Sequence, residues 1–150
     1  MNNLYHNEVF CMFIFEKYLK FHPNIEIEKI YLLLPLVFDE KVMKKFNRIE
    51  KITNLIDFVM KDSRLFSQQK KLYYEYLILT TNTLQLCLEN NVIELEDKKV
   101  KLKNENCLFK KYNFEDNVKL KKIVDNLEKF SKILKNEESY ELYHSLRIEV

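Results

Sequence analysis

Val92-Ile93-Glu94-Leu95-Glu96-Asp97-Lys98-Lys99-Val100-Lys101-Leu102-Lys103 alternates apolar and charged residues on both sides of a polar turn at Asp97-Lys98. Two period-two runs separated by two polar residues predict a β-hairpin. Ile93 and Leu95 share one face, continued after the turn by Val100 and Leu102, while Glu94 and Glu96 can face Lys99, Lys101 or Lys103 across the pair. Immediately upstream, Ser67-Gln68-Gln69 opens what reads as the longest helix, to about Asn90, with Tyr73, Tyr76, Leu77, Thr80, Leu84 and Cys87 at i, i+3, i+4, i+7 spacing. It stops at Asn90-Asn91, where asparagine is the best residue for a left-handed cap in a chain that has no glycine. A helix running directly into a short hairpin is the second half of a winged helix, and helices over about 52–60 and 67–90 supply a candidate helix-turn-helix. The expected fold is mainly α: a helical domain with a winged-helix-like core and one small β-hairpin. One domain spans 1–150, comprising an N-terminal helical part (1–50), a winged-helix-like part (51–103) and a C-terminal helical part (104–150).

Working outward toward the N-terminus, Asn7 can cap a helix to about Phe21, with Pro23 just beyond it. Val9, Phe10, Met12, Phe13, Ile14, Tyr18 and Leu19 cover most of its circumference, which makes it a central core helix or one with a face docked on a partner. Residues 26–34 read as a second helix that kinks or stops at Pro35, inside the most apolar run of the chain, Ile30 to Phe38. Short helices are expected over 41–46 and 52–58. Beyond the hairpin, 104–117 is polar and loop-like. Val118 to Lys135 is an amphipathic helix with Leu120, Ile123, Val124, Leu127, Phe130 and Leu134 on one face. A short helix at 137–144 then leads to Ser145–Val150, which alternates like a strand.

Composition narrows the chemistry. The chain lacks glycine altogether, so a phosphate-cradling loop or a dinucleotide fingerprint is effectively excluded, because both need backbone with positive φ close to the ligand. Hydrophobic residues are 47% of the total, enough for a real core, yet no apolar run approaches the roughly 20 residues that span a bilayer. No signal peptide is read at the N-terminus. Cys11, Cys87 and Cys107 lie in or beside apolar runs, which suits free thiols in a reducing cytoplasm.

Candidate sites are few. His6, His22 and His144 each stand alone, with no second ligand at metal spacing, so no metal site, cofactor or catalytic cluster is expected. Lys98, Lys99, Lys101 and Lys103, with Lys110 and Lys111, could lie along phosphates if the hairpin is a DNA-contacting wing. Against that, Glu94, Glu96, Asp97 and Glu105 dilute the charge, and a solvated hairpin is the preferred reading. Net charge is only +2, with three lysines against six carboxylates in residues 1–40 and the basic excess further on.

Several segments together resemble a known family. Asn7-Glu8-Val9-Phe10 opens an aromatic-rich helix, Leu33-Leu34-Pro35-Leu36-Val37-Phe38 matches an apolar-Leu-Pro-Leu-Val segment, and the long helix passes into Asn91-Val92-Ile93-Glu94-Leu95. With the terminal Leu146-Arg147-Ile148-Glu149-Val150, these features resemble the middle component of three-component ABC systems, the small subunit of Lamassu-type anti-phage defence. Asp39 and Glu40 stand where that family pattern has a His and a basic residue, and Asn91 stands for a glycine. The resemblance implies a non-catalytic adapter that joins an SMC-like coiled-coil ATPase to an effector, commonly a nuclease, and holds it inactive until foreign DNA is sensed. Partner contacts are then expected at Phe10, Phe13, Leu33, Leu34, Pro35, Leu146 and Ile148, with at most weak or indirect DNA contact and no membrane. The alternative is a winged-helix DNA-binding regulator, followed by an antitoxin-like inhibitor and, last, an enzyme.

Overall fold

The computed structural model of the protein describes residues 8–52, 54–104 and 117–149. Helix α1 (Glu8–Tyr18) buries every residue from Cys11 to Glu16 and also Tyr18, as expected for a helix apolar around most of its circumference. Leu19 to Phe21 continue it only as turns, and Asn7 lies outside the described residues.

The next segment corrects the sequence reading. Asn24–Glu26 is a strand, β1, and the helix expected over 26–34 is instead two short pieces, α2 (Ile27–Ile30) and α3 (Leu33–Val37). Pro35 does not end a helix; it sits in the first turn of α3, where its missing N–H has no intrahelical partner to lose. Helix α4 (Glu40–Arg48) follows, capped by Asp39, whose Oδ1 accepts from the Lys41 and Val42 N–H groups at 3.1 and 3.3 Å. Helix α5 (Leu55–Lys61) is capped by Asn54, which accepts from Asp57 N–H at 2.8 Å.

The helix expected over 67–90 is bent. It divides into α6 (Gln69–Glu75) and α7 (Leu77–Glu89) at Tyr76, where φ is −99° and ψ 7°. Bonds from Tyr76 N–H to Leu72 O and from Thr80 N–H to Tyr76 O carry the ladder through the bend. No proline or glycine causes it; the bend lets α6 pack on α3 while α7 lies on α1, and the buried Tyr76 ring contacts Phe38 at 5.2 Å. Helix α7 stops as expected, with Asn91 at φ 59°: Val92 N–H returns to Cys87 O and Asn91 N–H to Leu88 O, a Schellman cap without glycine.

The hairpin is present as β2 (Ile93–Glu96) and β3 (Lys99–Leu102), joined by Asp97 and Lys98 at φ 53° and 62°, a type I′ turn. It gains a third strand, because β1 pairs antiparallel with the far edge of β3, giving the order β1-β3-β2. Ile25, Val100 and Leu95 align on one face; Glu26, Lys99 and Glu96, and Asn24, Lys101 and Glu94, align on the other.

Helix α8 (Val118–Asn136), capped by Asn117 and longer than the α6–α7 segments, buries the expected face of Leu120, Ile123, Leu127, Phe130 and Leu134, leaving Val124 half-buried. It packs on α1 and α4, where Phe130 stacks on Phe46 at 4.6 Å. Helix α9 (Ser139–Ser145) follows and packs on α5, aided by Glu137 Oε1 accepting from Ile56 N–H. The terminal segment is not a strand. Leu146 closes α9, Arg147 takes φ 59°, and Ile148 N–H bonds back to Tyr143 O, a second Schellman cap whose hydrophobic closing residue imitates β alternation. One continuous core runs from Cys11 to Ile148.

Gln69 links three elements within that core. Fully buried, its Nε2 donates to Pro35 O at 2.9 Å and to Asp39 Oδ2 at 3.0 Å. Replacing it by Leu strands two buried acceptors, which costs about 1–3 kcal/mol and should lower the urea midpoint accordingly. Lys98→Gly should raise the stability by roughly 0.5–1 kcal/mol and the midpoint with it, since a side chain at positive φ is removed from a turn that favours glycine; Lys98→Val should lower both. Burial, reinforced by Lys29 and Lys135, holds the His22 imidazole down at about 4, neutral and with Nδ1 2.8 Å from Tyr18 Oη. The unfolded chain then binds the extra proton first, so stability falls as pH drops from about 6.5 toward 4. Chemical denaturation across that range should show a smaller fall for His22→Gln.

Candidate protein-docking groove

A groove of about 810 Å³ opens where α2, the α6–α7 bend and α9 converge. Helical spacing builds each wall. Tyr73, Leu77 and Thr81 follow at i, i+4 and i+8 along the bent helix, Tyr140, Tyr143 and His144 lie on one side of α9, and Ile27, Glu28 and Tyr31 come from α2 and its end. Ile148, brought back by the terminal turn, completes the lining with Ser139.

Several of the groove's hydroxyls are already engaged. Tyr143 Oη donates to Glu28 O at 2.6 Å, Tyr31 Oη and Thr81 Oγ1 are 2.7 Å apart, and Thr81 Oγ1 donates to Leu77 O at 3.0 Å. Burial, followed by the neighbouring Tyr73, pushes the Tyr143 phenol well above its ordinary range, so it stays protonated. The rings of Tyr73 and Tyr143 meet edge to face at 5.5 Å. What remains on offer is mostly apolar and aromatic area, with Glu28 as its carboxylate and Ser139, His144 and the Tyr140 hydroxyl as further polar groups. Tyr140 of the lining is 73% exposed, and next in sequence to the lining residues Leu77 and Tyr73, Ile78 is 73% and Tyr74 48% exposed, the Tyr74 hydroxyl donating to Glu149 O. Exposed apolar side chains around a concave, preformed site are the anatomy of a binding surface.

The residues singled out from sequence are placed elsewhere, with one exception. Phe13, Leu33, Leu34, Pro35 and Leu146 are buried in the core and Phe10 packs partly buried against it, so in the free chain they hold the fold together. Ile148 alone among them lines the groove. The most apolar stretches of sequence went to the interior; the groove is assembled mainly from Tyr, Ile, Leu and Thr residues of α2, α6, α7 and α9, and of its lining the sequence periodicity picked out only Tyr73 and Leu77 on one helical face.

The sheet lysines are not a cationic strip. Lys99 stands between Glu26 and Glu96, and Lys101 between Asn24 and Glu94, with its Nζ 3.0 Å from Glu96 Oε2. Lys98 and Lys103 are exposed at the turn and at the end of the hairpin, while Lys110 and Lys111 lie outside the described residues. Cys11 and Cys87 are buried thiols, each pushed up to about 12 by burial; Cys107 and His6 lie outside the described residues. Among the described residues, no group of three or more His, Cys, Asp or Glu is placed to hold a metal ion, and no helix is long and apolar enough to cross a membrane.

No curated protein and no solved structure matches the chain. Over residues 2–150 it matches the family model described as ABC-three component (ABC-3C) system Middle Component 3, and it belongs to that family.

Proposed function

We propose that this middle component is a non-catalytic adapter that joins an SMC-like coiled-coil ATPase to an effector, a nuclease as first candidate, within a Lamassu-type anti-phage system. In this reading it holds the effector inactive until the ATPase senses foreign DNA. The observation that carries it is the groove: an open apolar surface with exposed Ile78, Tyr74 and Tyr140 at its side, belonging to a chain whose family names it as one component of three. An amphipathic helix of the ATPase would lie in this groove, its anchors filling the space between Tyr31, Tyr73 and Tyr140.

A winged-helix-like reading of the core has support in connectivity. A helix, a strand, further helices and then a hairpin succeed one another, and the first strand joins the hairpin in the order β1-β3-β2. In that core α7 would be partnered by α1 and β1 instead of by the helix over 52–60, because α7 packs on α1 while α5 packs on α9. The glutamates interleaved with the wing lysines weigh against the DNA-binding regulator.

Co-expression with its genomic neighbours should yield a complex in which the chain co-elutes with the ATPase subunit. Ile78→Asp with Tyr140→Asp places charge on two exposed side chains, so its melting curve should match wild type within about 0.5 kcal/mol while co-elution is lost. Leu33→Asp, by contrast, should unfold the chain, since a buried unpaired charge costs several kcal/mol, of the order of a small domain's whole stability. Undiminished co-elution of the folded double variant, or a wild-type chain that always elutes alone, would falsify the adapter reading.

A further inference from the structure

The outer edge of β2 is the second surface with a readable preference. The phase of the sheet follows from two bonds, Lys103 N–H to Val92 O at 2.7 Å and Ile27 N–H to Lys98 O at 2.9 Å. With the antiparallel register, they direct the Val92 carbonyl and the backbone groups of Glu94 and Glu96 toward β3 and the backbone groups of Ile93 and Leu95 outward. Among the described residues β2 ends the sheet, Glu94 and Glu96 are exposed, and Leu95 is 46% exposed although it is aligned with the buried Val100.

Charge runs across the sheet in rows. Glu26, Lys99 and Glu96 make one row, acid–base–acid; Asn24, Lys101 and Glu94 make the next and also end in an acid at the β2 edge. A strand added beside β2 is favoured when it sets cations next to Glu94 and Glu96 and an apolar residue next to Leu95, because cross-strand neighbours of opposite charge attract and like charges repel. We infer that the β2 edge accepts, by strand addition, an extended segment of a partner protein with basic–apolar–basic alternation. A second copy of this chain does not fit: antiparallel β2–β2 pairing centred on Glu94 or Leu95 sets carboxylate against carboxylate. The edge is therefore guarded against self-association while open to a cationic strand. It is separate from the groove, so loss of the ATPase contact leaves this inference standing.

The test uses the full chain and two short labelled peptides, one alternating lysine and valine, the other glutamate and valine. The lysine peptide should bind, more weakly as salt rises, and should slow hydrogen exchange at the Ile93 and Leu95 amides; the glutamate peptide should not. Glu94→Gln with Glu96→Gln, which introduces no repulsion toward Lys99 or Lys101, should weaken the lysine peptide by about tenfold. Leu95→Pro removes one outward donor without touching the bonds to β3 and should weaken it independently. Equal affinity for both peptides, no binding at millimolar peptide, protection at other amides, or a wild-type dimer that pairs through β2 in sedimentation and exchange experiments would each overturn the inference.

Discussion

Helix α1 has almost no solvent face, and the chain's other long helices are arranged to enclose it. Its apolar residues run around the helix without a broad polar stripe, so one wall cannot satisfy it; α7 covers one side and α8 another. The demand that α7 lie on α1 while α6 reaches α3 bends the helix at Tyr76, and that bend opens the groove against α9. The groove is thus a by-product of how the core closes. A buried polar tie reinforces the closure where Gln69 grips Pro35 and Asp39, joining α6 to the start of α4.

The absence of glycine shapes the connections in a second way. Among the described residues four positions adopt positive φ, and each bears a side chain: Asn91, Asp97, Lys98 and Arg147. Asn and Asp tolerate this region by local hydrogen bonding, whereas Lys98 and Arg147 are held there by the hairpin and by the cap of α9. Asp39 has a local role of its own. Its carboxylate caps α4 and receives Gln69, an arrangement that a shorter or apolar side chain would not supply.

Sequence periodicity located what is local. The hairpin with its two-residue turn, the left-handed cap at Asn91 and the buried face of α8 are each encoded within a dozen or so residues, and each was legible. Strand β1 was not, because Asn24-Ile25-Glu26 is too short to display a period and becomes a strand only by pairing with Lys99–Lys101, far along the chain. The Ile148 turn was misread for the opposite reason: capping a helix with an apolar residue after Arg147 produces the same alternation as a strand. The groove was hard to read because apolar density in the sequence marks what will be buried, while the groove and its rim keep side chains that stay partly or largely exposed after folding, such as Tyr31 and Tyr140.

The two thiols beneath this architecture carry a kinetic consequence. Cys11 and Cys87 lie fully buried on α1 and α7, each held in the protonated form that does not attack disulfides or alkylating agents. They become reactive only when these helices part, so in excess reagent their modification is clocked by the opening of the core and not by the reagent. The chain carries its own stopwatch for how often that central helix is laid bare.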